Sequence, residues 1–225
     1  MTRYAIYAIP GIDSCASESA IALRAAAESW LARPDLRDVT VDARRYGFHA
    51  TLKAPFRPAA GMSEDMIVDA AAELAAAHPQ VTLYGLTPAV IGDFRALVPS
   101  GPTEAVDALA ATVVRGMDHL RAPMDEADRA RRRPDLLSPR QRELLEAWGY
   151  PYVLEEFRFH MTLTDRLPPD RGAAIDADIA RHFADFLGTD LTLTSVSVCV
   201  ESAPGRPFRP LVSHPLRSVA PTPTR

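Results

Sequence analysis

Short runs that alternate apolar and polar residues, closed by proline or glycine, are interleaved along this chain with longer stretches of helical apolar spacing. Arg3 to Ile9 predicts a strand ended by Pro10-Gly11. Ser17 to Leu31 predicts a helix, with Ser17 or Ser19 as N-cap and Pro34 as its stop. Tyr46 to Ala54 predicts a second strand, ended by Pro55. Ser63-Glu-Asp-Met opens like a capping box, with acidic residues in the first turn of an Ala-rich helix that runs to Ala77. Val81 to Ile91 and Arg95 to Pro99 then predict a hairpin around Gly92-Asp93.

The second half repeats that order. A strand from Glu156 to Thr164 precedes Pro168-Pro169-Asp170 and a helix of about Arg171 to Leu187. Leu191 to Glu201 alternates as a long strand, and Pro204-Gly205-Arg206 turns it into a last strand, Phe208 to Ser213. Strand, helix, long strand, turn and short strand therefore occur twice, as in a tandem duplication. The expected fold class is α+β, with one such unit in each half of the chain. A single bilobal domain over 1–217 would hold a first lobe at about 36–102, a helical Arg-rich insert at about 103–149 and a second lobe at about 150–217. Within the insert Ser138 to Trp148 predicts a helix, and the Pro, Thr and Ser of 218–225 predict a flexible tail.

One five-residue pattern occurs in both repeats: Phe48-His49-Ala50-Thr51-Leu52 and Phe159-His160-Met161-Thr162-Leu163. Because a strand alternates its faces, His and Thr share one face in each copy while Phe and Leu share the other. One face can enter a core while the other offers an imidazole and a hydroxyl to a cleft. Histidine, with an ordinary pKa near 6.5, can act as base in one copy and acid in the other. Thr51 and Thr162 can donate hydrogen bonds to phosphate oxygens, where they count most as charge grows in the transition state. His49, His160, Thr51 and Thr162 are thus the candidate catalytic set. On the same strand faces Lys53 and Arg158 are candidate phosphate contacts. Arg132, in the run Arg129 to Arg133, is a candidate for gathering an anion over the cleft, and Tyr152, beside Tyr150, for stacking on a base or sugar. Gly47 leaves the space before His49 open.

Composition narrows the partners. The 225 residues are 47% hydrophobic and 24% charged, with a net charge of −4. That balance is ordinary for a globular protein and argues against broad nucleic-acid binding. An RNA end as partner is the weaker alternative to a small phosphorylated metabolite. The first ten residues are too interrupted for a signal peptide and no window could span a membrane. With two cysteines, Cys15 and Cys199, the expectation is free thiols in the cytoplasm. No His-x-His, His-Glu-x-x-His or Gly-x-Ser-x-Gly occurs, so neither a metal hydrolase nor a serine hydrolase is indicated. The oligomeric state is left open.

The paired motifs resemble those of the two-histidine (2H) phosphoesterase superfamily. That resemblance implies an α+β fold of two pseudo-symmetric lobes, each an antiparallel sheet with helices on its outer face, around a central cleft lined by both His-x-Thr strands, and catalysis without a metal or other cofactor. More narrowly, Arg45-Tyr46-Gly47-Phe48-His49-Ala50-Thr51-Leu52-Lys53-Ala54-Pro55-Phe56 is similar to a bacterial branch associated with phosphonate-degradation operons. So are Trp148-Gly149-Tyr150-Pro151-Tyr152-Val153 and Phe157 through Thr164. The implied activity is a cyclic phosphodiesterase-like hydrolysis, with a phosphoribosyl compound as substrate. A non-catalytic binder that keeps the groove is the alternative.

Overall fold

The computed structural model describes residues 2–218, so the expected tail lies outside the described residues from 219 onward. In chain order the elements are β1 (Arg3–Ala8), α1 (Glu18–Ala32), α2 (Val41–Tyr46), β2 (Ala50–Phe56), α3 (Glu64–Ala77), β3 (Val81–Leu83), β4 (Leu86–Ile91) and β5 (Phe94–Pro99). They continue with α4 (Glu104–Gly116), α5 (Glu126–Arg131), α6 (Pro139–Trp148), β6 (Met161–Thr162), α7 (Gly172–His182), β7 (Leu191–Leu193), β8 (Ser195–Glu201) and β9 (Arg209–Pro215).

Local chemistry sets several boundaries. The Ser17 side chain accepts from the Ala20 amide and that of Ser63 from the Met66 amide, so α1 and α3 begin where hydroxyl caps occur. Ser138 and Gln141 close a full capping box at α6. Ile91 pairs with Phe94 across the two-residue turn Gly92-Asp93, as the hairpin signal requires. Two expected long strands are each divided: Gly85, at φ +60°, separates β3 from β4, and Thr194 separates β7 from β8.

The sheets cross the halves of the sequence. One has the order β2-β1-β8-β9, another β4-β5-β6, and β3 pairs with β7. The first motif strand therefore lies in a sheet with the last hairpin, and the second motif strand joins the first hairpin. Lobe boundaries at 36–102 and 150–217 do not describe these sheets. The strand–strand pairings among the described residues are antiparallel, and β1 is the reason for the exchange in the larger sheet, because it bonds β2 on one edge and β8 on the other. The core cluster packs one face of that sheet against α1 and α3, and includes Val106, Leu109, Ala110 and Val113 of α4. The start of the expected insert is thus interior. Its charged remainder, from about 117 to 149, carries α5 and α6.

Two contacts tie the second motif to the first half. Trp30, fully buried, donates from its indole Nε1 to the Leu163 carbonyl at 2.9 Å. The Asp165 carboxylate accepts from the Asp42 and Ala43 amides, capping α2, whose own N-cap Thr40 supplies no side-chain bond. A residue three beyond Thr162 therefore anchors the helix that leads into His49.

Candidate active site

Gly47 ends α2 with φ +71° and nothing within 4 Å of where a Cβ would sit. The chain turns there from helix into the motif segment in a conformation that costs glycine little. His49 lies just before β2 rather than inside it, so the expected strand start at Tyr46 is corrected by this turn. Its Nδ1 is 2.9 Å from the Gly47 carbonyl, and its Nε2 is 3.1 Å from the Thr51 hydroxyl. A carbonyl can only accept, so Nδ1 carries the proton and Nε2 offers a lone pair. His160 repeats the arrangement, with Nδ1 2.7 Å from the Arg158 carbonyl.

Both imidazoles are held neutral. Burial lowers the His49 pKa to about 4, against the Gly47 hydrogen bond, and the charge of His160 lowers it further. The two rings are therefore close enough to sense each other. Burial likewise lowers His160, opposed by the Arg158 carbonyl. The Tyr7 ring stacks on His49 at 3.8 Å between centroids, and Phe94 lies 5.6 Å from His160.

His49, Thr51 and Thr162 line a cleft of about 380 Å³, together with six arginines and a single carboxylate, Asp128. Arg132 is among them, stacked over Tyr150 at 4.8 Å. Glu201, fully buried, binds Arg3 at 2.5 Å and Arg45 at 2.6 Å. Burial would raise its pKa, but the hydrogen bonds from Arg3 and Arg45 hold it below the usual carboxylate range.

His160 is not among the lining residues, and three further sequence candidates lie elsewhere. Lys53 is 3% exposed and its ammonium meets Asp118 at 3.2 Å and the Val114 carbonyl at 3.3 Å. The register shifts between the Ile6–Lys53 and Tyr7–Thr51 pairs, so a bulge turns Lys53 to the side of Ile6, away from Thr51. Burial pushes the Lys53 pKa down, against Asp118. Arg158 is exposed and offers the site only its backbone carbonyl. β6 spans just two residues, so the strand alternation expected from Glu156 onward does not reach Arg158. Tyr152 is 46% exposed and meets Tyr150 edge-on at 5.6 Å, leaving Tyr150 to line the cleft. Thr164, on the same expected face, is buried and accepts from the Arg95 amide.

Tyr7, Arg3 and Arg45 were not singled out by the sequence. A signal existed for two of them: Arg3, Ala5 and Tyr7 alternate along β1, and Tyr7 pairs with Thr51, so this face turns toward the motif. With Lys53 inside, Lys53→Met should lower stability by roughly 1–3 kcal/mol while changing kcat/KM less than about threefold. Thermal melts beside kinetics check this. A hundredfold loss of activity at unchanged Tm would put the ammonium back at the substrate.

Among the described residues no group of three or more His, Cys, Asp or Glu is placed to hold a metal ion, and no helix is long and apolar enough to cross a membrane.

Comparison with known proteins adds three findings. A family described as "Protein of unknown function (DUF1045)" matches residues 51–209. The protein named ribose 1,5-bisphosphate phosphokinase PhnN of Janthinobacterium sp. (strain Marseille) is 38% identical over 235 residues, covering 92% of this chain and 49% of that protein. Its namesake in Laribacter hongkongensis is 35% identical over 194 residues, covering 81% and 44%. The chain thus spans about half the length of the curated relatives it matches. Among solved structures, TT0787 of Thermus thermophilus superimposes with a TM-score of 0.52 at 16% identity, over 96% of this chain and 98% of that one. E. coli LigT complexed with 3'-AMP gives 0.49 at 17% identity over the same shares.

Proposed function

The chain belongs to the family described as protein of unknown function (DUF1045) and has the fold of the two-histidine phosphoesterases, and on that premise we propose that it is a phosphoesterase acting on a small cyclic phosphate or phosphodiester through His49 and His160. The observation that carries this reading is the matched anchoring of both imidazoles by a carbonyl two residues upstream, which leaves each Nε2 unprotonated. One imidazole takes the proton from water as its oxygen attacks phosphorus. The other, once protonated, gives its proton to the departing ester oxygen, so the products are a phosphate monoester and a free hydroxyl. The Thr51 and Thr162 hydroxyls donate to the non-bridging oxygens as negative charge grows there. No cofactor enters this chemistry. The relatives' printed name concerns ribose 1,5-bisphosphate, which favours a phosphoribosyl ester as the metabolite class.

The test is turnover of a panel of 2′,3′-cyclic nucleotides and phosphoribosyl cyclic phosphates, scored beside thermal shift. Hydrolysis with a single proton-transfer-dependent phase supports the reading. Stabilisation without product makes the groove a binding site and overturns it.

The pH dependence follows from the two depressed imidazoles. The base must be deprotonated and the acid protonated, and either assignment of the two rings gives the same limbs. The acid limb of kcat/KM should fall near pH 4 and the alkaline limb below the ordinary histidine value, so the maximum lies on the acid side of 6.5. A bound phosphate anion favours both imidazolium forms, so the kcat profile should be displaced to higher pH. A kcat/KM maximum above pH 7 contradicts imidazoles that rest neutral.

A further inference from the structure

The cleft's positive charge is unevenly matched. Arg57 and Arg131 meet Asp125 and Asp128. Arg121 is occupied by Asp118 and by the Ala122 and Ala147 carbonyls. Arg3 and Arg45, in contrast, divide one carboxylate, Glu201, and the buried Nε of Arg45 has no partner among the described residues. Arg132 has no carboxylate or hydrogen-bond acceptor for its guanidinium among the described residues; it rests on the face of Tyr150. Burial lowers its pKa, opposed by Tyr150 and Tyr46, and the charges of Arg131 and Arg3 lower it further. A cleft guanidinium with no counter-charge among the described residues, beside two that share one carboxylate, is a site that an anion relieves.

Arg132 and His49 line the same cleft on different rings: Arg132 rests on Tyr150, whereas His49 stacks on Tyr7. The backbone singles out the same place: Arg132 is the C-cap of α5, and Arg133 follows at φ +48°, one of two non-glycine residues with positive φ among the described residues. Such a conformation is costly for a residue with a side chain and persists only where the surroundings hold it.

We propose that Arg132, with Arg3 and Arg45 beside it, forms a second anion subsite that selects substrates carrying a phosphate monoester in addition to the ester that is cleaved. The inference rests on the phosphoesterase reading above and adds the feature that distinguishes one substrate from another. A cleft of about 380 Å³ is within the range that holds a phosphorylated sugar or nucleoside. The planar guanidinium of Arg132 can contact the monoester in a bidentate manner, with the unused N–H groups of Arg3 reinforcing it.

Adenosine 2′,3′-cyclic phosphate and its 5′-phosphorylated form test this directly, since they differ only in the second phosphate. The wild-type chain should prefer the 5′-phosphorylated compound in kcat/KM by about tenfold to a hundredfold, the worth of a charged hydrogen bond or two. In Arg132→Gln that ratio should collapse toward one, and Arg132→Lys, which keeps the charge but loses the fork, should restore part of it. A wild-type ratio near one overturns the subsite while leaving the phosphoesterase reading intact. So does an equal loss on both compounds in Arg132→Gln, which would place Arg132 at the reacting phosphoryl group. Should neither compound turn over, titration calorimetry decides: wild type must bind the 5′-phosphorylated form at least about tenfold tighter and Arg132→Gln must not, or the subsite is refuted together with the activity.

Discussion

His49→Ala and His160→Ala are each expected to lower kcat on a cyclic phosphodiester by about a hundredfold or more, because each removes one of the two proposed proton transfers. The double variant should fall by much less than the product of the single losses, since residues that act as a unit are non-additive. The fold should survive both changes. His49 is part-exposed, and the backbone on either side of it is fixed by Gly47 and by the Tyr7–Thr51 pairing rather than by the imidazole. His49→Ala also uncovers one face of the Tyr7 ring, so a small fall in Tm is expected there and a smaller one for His160→Ala. Circular dichroism and thermal melts run beside the kinetics separate catalysis from folding. Near wild-type turnover in either variant would end the proposed chemistry.

Trp30→Ala is expected to cost roughly 3–5 kcal/mol of stability, the range for truncating a buried aromatic. Trp30 is fully buried, is edged by His182 and Phe183, and carries the Arg33 guanidinium over its ring at 5.0 Å. The indole also satisfies the carbonyl of Leu163, the last residue of the second motif. Trp30→Phe keeps most of the packing and strands that carbonyl, so it should cost about 1–3 kcal/mol. For a chain of this size each kcal/mol moves Tm by about 2–4 °C. Because the lost bond lies next to Thr162, Trp30→Phe should also reduce kcat, although Trp30 does not line the cleft. Equal melting temperatures for wild type and Trp30→Phe would show that the indole bond contributes nothing to the fold.

The elements that could be read in advance are those whose signals are local. Ser17 and Ser63 cap the helices they were expected to cap, Ser138 opens the helix expected from it, and Gly92-Asp93 turns the expected hairpin. Their hydrogen bonds join residues within four positions, so neighbouring sequence contains both partners. The duplicated motif was legible for the same reason: His and Thr two apart bring an imidazole and a hydroxyl to one place wherever the segment extends, as the His49–Thr51 contact illustrates.

Lys53 marks where that reasoning stops. Its face depends on a bulge against β1, a strand some fifty residues earlier, and no residue near Lys53 announces the slip. Arg158 fails because β6 is two residues long, a limit set by how little of β5 it pairs with, at Ala96 and Leu97. The exchange of strands between the halves is likewise invisible in a repeat, which is equally compatible with each half closing on itself. By itself the sequence determined the caps, the turns, the fold class and the four residues of the paired motif. Only the tertiary structure decided which strands meet, which side of β2 Lys53 takes, and that Arg132 stands without a counter-charge in the cleft among the described residues. These outcomes belong to pairings between distant segments, whose free energy is a property of two surfaces in contact and of neither alone.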